Sequence, residues 1–248
     1  MSEPIETALD YAVGEQRYSA LLLRPSDQEP KAAIVLLPDW RGQSPLARDH
    51  ASFLNSLGCT VMIADLYGDG FTPDSPDQVG PMVQRLMEHR KQGVQALAAC
   101  VDRLGQEVPA RTPMLCMGYS AGGMIALDYG RSGVDIAGII LCSALLKTAA
   151  EGMDTRIRMP VLVLQGTQDQ VSPMKTIAEV VTEMDEAGND VRYELYSQTH
   201  HAFDNPDAGT DSNARLVYSP NSARRAKQAI ARFVAEVTTQ PLSETPLP

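Results

Sequence analysis

The stretch Met114-Leu115-Cys116-Met117-Gly118-Tyr119-Ser120-Ala121-Gly122-Gly123 decides how this chain is read, because an apolar run stops at Gly-x-Ser-x-Gly and small residues carry on into a helical spacing. The pattern predicts a strand, a sharp turn carrying Ser120, and a helix. A serine so placed has a strained backbone, and small residues two before and two after it relieve the crowding that larger side chains would create. The strain presents the hydroxyl at the end of the strand. A glycine-rich helix start with a serine cap is the plainer alternative, and five residues alone do not separate the two. The strand before and the helix after are the context that the motif requires.

Outward from this stretch, apolar runs recur with amphipathic segments between them, the pattern of a mostly parallel sheet covered by helices on both faces. Strands are expected over residues 5–11, 18–23, 32–37, 60–65, 114–118, 137–141, 161–166 and 191–196. The first two, separated by Gly14-Glu15-Gln16, read as a hairpin at one edge of the sheet. Helices are expected over residues 46–57, 79–104, 121–129, 174–187 and 221–238, each with apolar residues three and four apart. Ser172-Pro173 supplies a cap and a first-turn proline, and Gly188 is placed to end the helix before it. The last helix sets Ile230, Phe233, Val234 and Val237 opposite Arg224, Arg225, Lys227 and Arg232, so one side packs on the sheet and the basic side is solvated. The fold class expected is therefore α/β, one domain over residues 1–237, with a loose Pro-, Ser- and Thr-rich tail over residues 238–248. Residues 141–160 leave room only for a short excursion, so no large lid is expected.

Composition narrows the partners. Of 248 residues 44% are hydrophobic and 21% charged, the balance of an ordinary globular protein. A formal net charge of −10 argues against nucleic acid or an anionic membrane as main partner, since both need clustered Lys and Arg. The first residues have neither a basic nor an apolar signal region, and no run approaches a membrane span, so a cytoplasmic location is expected. A monomer or a small homo-oligomer is expected. Cys59, Cys100, Cys116 and Cys142 lie far apart, mostly inside apolar runs, and read as buried, reduced thiols rather than metal ligands. Cys116 sits in the body of a strand, where a side chain is packed rather than offered to substrate.

A serine hydroxyl is a poor nucleophile at neutral pH, so Ser120 needs a base to take its proton and a third group to fix the base's tautomer. After a nucleophile elbow the order along the chain is Ser, then Asp or Glu, then His. Asp169 follows the strand at 161–166 and precedes a helix, so its carboxylate sits at a strand's carboxyl end, where ligand sites of open α/β sheets lie. His200 and His201 follow the strand at 191–196. Neighbours in an extended loop point opposite ways, so only one of them faces Ser120, and spacing does not choose between them. The other histidines, His50 and His89, fall on helices and read as structural. An oxyanion needs two preorganised donors: the Ala121 N–H, and one from the loop Pro38-Asp39-Trp40-Arg41-Gly42. Pro38 has no N–H, which makes the Trp40 backbone the second donor. Asp39 and Arg41 read either as a solvated ion pair in that loop or as substrate contacts. Tyr67, Phe71, Tyr119 and Met124 lie near the expected mouth or the elbow; the first three are candidate pocket residues, and Met124 is expected in the core.

Taken together, Leu36-Leu37-Pro38-Asp39-Trp40-Arg41-Gly42, Ala64-Asp65-Leu66-Tyr67-Gly68, the elbow, Gly166-Thr167-Gln168-Asp169 with Pro173, and His201-Ala202-Phe203 resemble the dienelactone hydrolase family. The resemblance spans nearly the whole chain. It implies an α/β-hydrolase fold with a mostly parallel eight-stranded sheet and no metal or organic cofactor. The His-Ala-Phe ending assigns His201, rather than His200, as the base. Enzymes that give the family its name carry a cysteine at the elbow and an acidic residue, commonly Glu, in the oxyanion loop; here Ser120 and Asp39 stand there. The expected activity is hydrolysis of small soluble carboxylic esters through an acyl-serine. A lactone or dienelactone hydrolase is the runner-up within hydrolases, and a non-catalytic ligand-binding protein is the alternative of another class.

Overall fold

The computed structural model describes residues 6–25, 29–73 and 75–239. Its elements in chain order are β1 (Glu6–Val13), β2 (Gln16–Leu23), β3 (Ala32–Leu37), α1 (Pro45–Ser56), β4 (Cys59–Ile63), α2 (Pro76–Glu88), α3 (Arg90–Gly105), β5 (Met114–Tyr119), α4 (Ser120–Arg131), β6 (Gly138–Ala144), β7 (Val161–Gly166), α5 (Met174–Glu186), β8 (Val191–Tyr196) and α6 (Pro220–Thr239). The strands form one eight-stranded sheet in the order β1-β2-β4-β3-β5-β6-β7-β8. β1 and β2 form an antiparallel hairpin, β2 pairs antiparallel with β4, and every pairing from β4 to β8 is parallel.

A parallel sheet is buried on both faces, so its central strands are apolar throughout rather than alternating. In β3 all six residues are buried. Ala33, Val35 and Leu37 face a core closed by α3, α4 and α5, through residues such as Leu97, Met124 and Val180. Ala32, Ile34 and Leu36 face a second core closed by α1 and α6, through Leu54, Ile230 and Phe233. Each fully buried aliphatic side chain contributes about 1.5–3 kcal/mol relative to exposure, so the two cores together dominate the stability of the fold.

The order of strands places the site. From β3 the chain steps outward to β4 and then returns to β5 on the other side of β3. This reversal opens a crevice at the carboxyl ends of β3 and β5, where open α/β sheets bind ligands.

Several expected elements shift. The hairpin turns at Gly14, whose φ is +59°, and the strands extend to pair Val13 with Gln16. Ile5, expected to open the first strand, lies outside the described residues. The helix expected over residues 79–104 is two helices, broken at His89 with φ −115° and ψ 39°. The apolar spacing runs through the break with Arg90 in its slot, so periodicity does not reveal it. Arg90 is instead drawn onto the fully buried Asp128 of α4, with Nε and Nη2 each 2.6 Å from a carboxylate oxygen. Thr238, expected to open the tail, is still helical, and residues 240–248 of that tail lie outside the described residues. Among the described residues no helix is long and apolar enough to cross a membrane.

Candidate active site

β5 ends and α4 begins without an intervening loop, and Ser120 takes up the bend with φ +47°. A Cβ on Gly118 would stand 2.6 Å from the Gly122 oxygen, and one on Gly122 would stand 2.6 Å from the Leu37 oxygen. Backbone therefore meets backbone here, and any side chain would push the elbow apart. The Ser120 carbonyl accepts from Leu145 N at 2.8 Å, which ties the turn to the end of β6.

Asp169 stands in the turn after β7 and is 3% exposed. One carboxylate oxygen accepts from the amides of Val171 and Ser172 at 2.7 and 2.8 Å; the other accepts from Gln165 Nε2 at 2.8 Å and meets His201 Nδ1 at 2.7 Å. Four donors use the lone-pair sites of a carboxylate in full. His201 follows β8 and is held on three sides: its carbonyl accepts from Val217 N, the next amide, Ala202, donates to Ser143 Oγ at 2.8 Å, and Phe203 is fully buried. Its Nε2 lies 3.0 Å from Ser120 Oγ. With Nδ1 donating to Asp169, the proton inventory of a neutral imidazole leaves a lone pair on Nε2 toward the hydroxyl.

Two amides are the expected oxyanion donors. Ala121 is in the first turn of α4, where N–H groups have no partner within the helix. In the loop after β3, Arg41 N donates to Asp39 Oδ1 at 2.9 Å and Gly42 N to the Asp39 carbonyl at 3.0 Å. The Trp40 N–H donates to no protein acceptor among the described residues.

The crevice has a volume of about 710 Å³, and Trp40, Tyr119, Ser120 and His201 all line it. Asp39 and Arg41 line it as an ion pair, Nη2 to Oδ2 at 2.6 Å, with the guanidinium 5.6 Å above the Trp40 ring. The pair is internal to the loop and also faces the cavity. The Tyr119 ring is fixed from behind by His50, stacked at 4.0 Å. His50 Nε2 stands 3.0 Å from Asp204 Oδ2, off the line of a hydrogen bond but close enough for attraction when charged.

Two candidate pocket residues are elsewhere. Tyr67 turns its hydroxyl to the Trp40 carbonyl at 2.7 Å, and its ring lines a separate cavity of about 270 Å³ between α2 and α3. Phe71 is 45% exposed and packs edge-on against Tyr67, not against the crevice. His200 is buried, makes no hydrogen bond to Ser120 or Asp169, and does not line the crevice. Met124 is in the core, as expected. All four cysteines are buried; burial pushes the thiol of Cys59 up to about 11 and that of Cys100 up to about 12, and it raises those of Cys116 and Cys142 as well.

The outer wall of the crevice comes from an element that the sequence did not single out. Val79, Gly80, Val83 and Met87 of α2 line it. Val79, Val83 and Met87 recur at four-residue spacing, which is the signal that was available, but the same spacing serves equally for packing on a sheet. Residues 145–160, between β6 and β7, contain no helix.

An open, mostly parallel sheet with a serine elbow after β5, an acid after β7 and a histidine after β8 defines the α/β-hydrolase class. The chain matches the Dienelactone hydrolase family over residues 18–238, and it belongs to that family. The chain titled m3DLH superposes with a TM-score of 0.88 at 28% identity, covering 95% of this chain and 99% of the other. A dienelactone hydrolase-like promiscuous phosphotriesterase, P91, from metagenomic libraries superposes at 0.87 with 23% identity, covering 94% and 98%. The curated "Protein usf" of Aquifex pyrophilus is 23% identical over 212 residues, 83% of this chain and 88% of that one. The protein is a hydrolase of this family.

Proposed function

We propose that the protein hydrolyses carboxylic esters of small soluble substrates through an acyl-serine intermediate. The observation that carries this reading is the unbroken line Asp169 Oδ2, His201 Nδ1, His201 Nε2, Ser120 Oγ, with links of 2.7 and 3.0 Å. Ser120 Oγ attacks the ester carbonyl as His201 Nε2 takes its proton. Asp169 holds the imidazole in the tautomer that can accept and stabilises the cation that forms. The carbonyl oxygen becomes an oxyanion between the Trp40 and Ala121 amides. His201 then returns the proton to the leaving alcohol. Water, deprotonated by the same nitrogen, attacks the acyl-serine; the C–Oγ bond then breaks as His201 Nε2 returns the proton to Ser120 Oγ, and the acid is released.

A fluorophosphonate probe tests the nucleophile, and a panel of aryl acetates, long-chain esters and lactones tests the substrate. Labelling at Ser120 with preferential turnover of short esters is expected. Turnover of lactones alone would move the reading to its runner-up, and an unlabelled Ser120 with no turnover would leave a ligand-binding protein.

The α2 wall sets acyl length in this reading. A Cβ on Gly80 meets nothing within 4 Å and Gly80 itself lines the crevice, so a longer side chain there is expected to take up part of its volume. Gly80→Leu is expected to lower kcat/KM for octanoate esters by roughly tenfold or more while leaving acetate esters unaffected, given 1–3 kcal/mol per apolar group gained or lost in a pocket. The same change stabilises the helix by about 0.5–1 kcal/mol. Ester-length profiles and a thermal melt read both effects.

A further inference from the structure

We propose that Tyr67 is a positioning residue of the oxyanion hole: its hydroxyl, delivered by a turn built on Asp65, fixes the Trp40 carbonyl and, through the Trp40 Cα, restrains the aim of the Trp40 N–H in the preceding peptide. The proposal rests on the serine-ester reading above. An oxyanion hole stabilises developing charge only if its donors are already in place, because donors that must reorganise lose much of the gain. On the Ala121 side the donor is part of a helix. On the Trp40 side it belongs to a loop, and something must hold that loop.

Within the loop, the Asp39 carboxylate and carbonyl fix the amides of Arg41 and Gly42. Gln43, just beyond, anchors its side chain on the Ser19 carbonyl at 2.7 Å. The Asp39 contact holds the N–H edge of the Trp40–Arg41 peptide, and neither it nor the Gln43 contact holds the carbonyl edge. Tyr67 Oη does so across 27 positions of sequence, donating to the Trp40 carbonyl at 2.7 Å. That is a well-formed O–H···O bond.

The phenol is itself held with little freedom. Asp65, 4% exposed, accepts four amides: Tyr67 and Gly68 on Oδ1 at 3.0 and 2.9 Å, Gly70 and Ser19 on Oδ2 at 2.8 and 3.1 Å. Gly68, Asp69 and Gly70 all have positive φ, +93°, +54° and +68°, so the chain folds back on itself directly after Tyr67. Ser19 belongs to β2, and the linkage therefore runs from the sheet through Asp65 to Tyr67 and on to Trp40. Burial and the nearby Asp39 charge push the Tyr67 phenol well above its ordinary ionisation range. It remains a donor throughout neutral pH.

Tyr67→Phe removes this bond and keeps the ring against Phe71. The expected result is a fall in kcat of roughly 10- to 100-fold with KM for a short aryl ester nearly unchanged. Affinity for a trifluoromethyl ketone, whose hemiketal oxyanion occupies the hole, falls in parallel. A lower melting temperature with unchanged kcat and ketone affinity would show a purely structural bond and overturn the proposal. A raised KM at unchanged kcat would mark a substrate contact and overturn it as well. Ser120→Ala, run alongside, separates the claims: if it stays active, the serine reading and this one fail together. If it is dead while Tyr67→Phe behaves as the parent, only the role of Tyr67 fails.

Discussion

Ser120→Ala is expected to lower kcat/KM for a short aryl ester by roughly 10⁴- to 10⁶-fold and to abolish fluorophosphonate labelling, with a melting temperature within a few degrees of the parent. The magnitude follows from the cooperativity of nucleophile and base: with either gone, only binding and the oxyanion donors continue to contribute. None of the four cysteines stands ready as a second nucleophile, because all are buried with raised pKa values. Stability responds differently. Ser120 holds φ +47°, a conformation that costs an L-residue roughly 1–2 kcal/mol. Ser120→Gly relieves that strain, so it is expected to be equally inactive but more stable than Ser120→Ala by about 1 kcal/mol in urea denaturation. Activity lost while stability rises would place the strain in the service of the hydroxyl. Unchanged esterase activity in either variant would sink the serine mechanism.

The parts of this site legible from sequence are those fixed by local rules. The elbow could be read because its crowding is local: Gly118 and Gly122 are small where β5, α4 and β3 touch backbone to backbone. Asp169 and the His200-His201 pair could be placed because each follows a strand, and strand ends converge by topology; His201 was singled out only by the family resemblance. What stayed hidden depends on contacts between distant segments. The break between α2 and α3 leaves the apolar spacing intact; Arg90 meets Asp128 only once α4 is in place. Tyr67 was expected at the pocket on proximity, yet its hydroxyl is directed by four amides converging on Asp65 and ends on a backbone carbonyl, an acceptor that no residue type advertises. Ser143 is similar: its hydroxyl accepts from Ala202 N, beside His201, across 59 positions.

Asp169→Asn is expected to cut kcat by about 10⁴-fold while leaving the fold and KM nearly intact, and the surrounding hydrogen bonds dictate why. The Val171 and Ser172 amides both donate to Asp169 Oδ1, so the amide oxygen of an asparagine must stay on that side. Its NH₂ then takes the place of Oδ2, facing His201 Nδ1 and Gln165 Nε2. Gln165 has no freedom to turn over in response, since its Oε1 accepts from Ala144 N at 3.1 Å and its Nε2 donates to Ala144 O at 3.2 Å. The asparagine therefore donates to His201 Nδ1 and fixes the imidazole as the tautomer protonated on Nε2. That nitrogen then presents a proton, rather than a lone pair, to Ser120 Oγ 3.0 Å away, and the base is lost with its geometry unchanged. The cost in stability is separate: Gln165 loses a buried acceptor, worth about 1–3 kcal/mol. Steady-state kinetics and urea denaturation measure the two effects. Asp169→Asn with kcat within tenfold of the parent would show that neither the carboxylate nor the tautomer it selects drives the reaction, and Ser120 would need a different base.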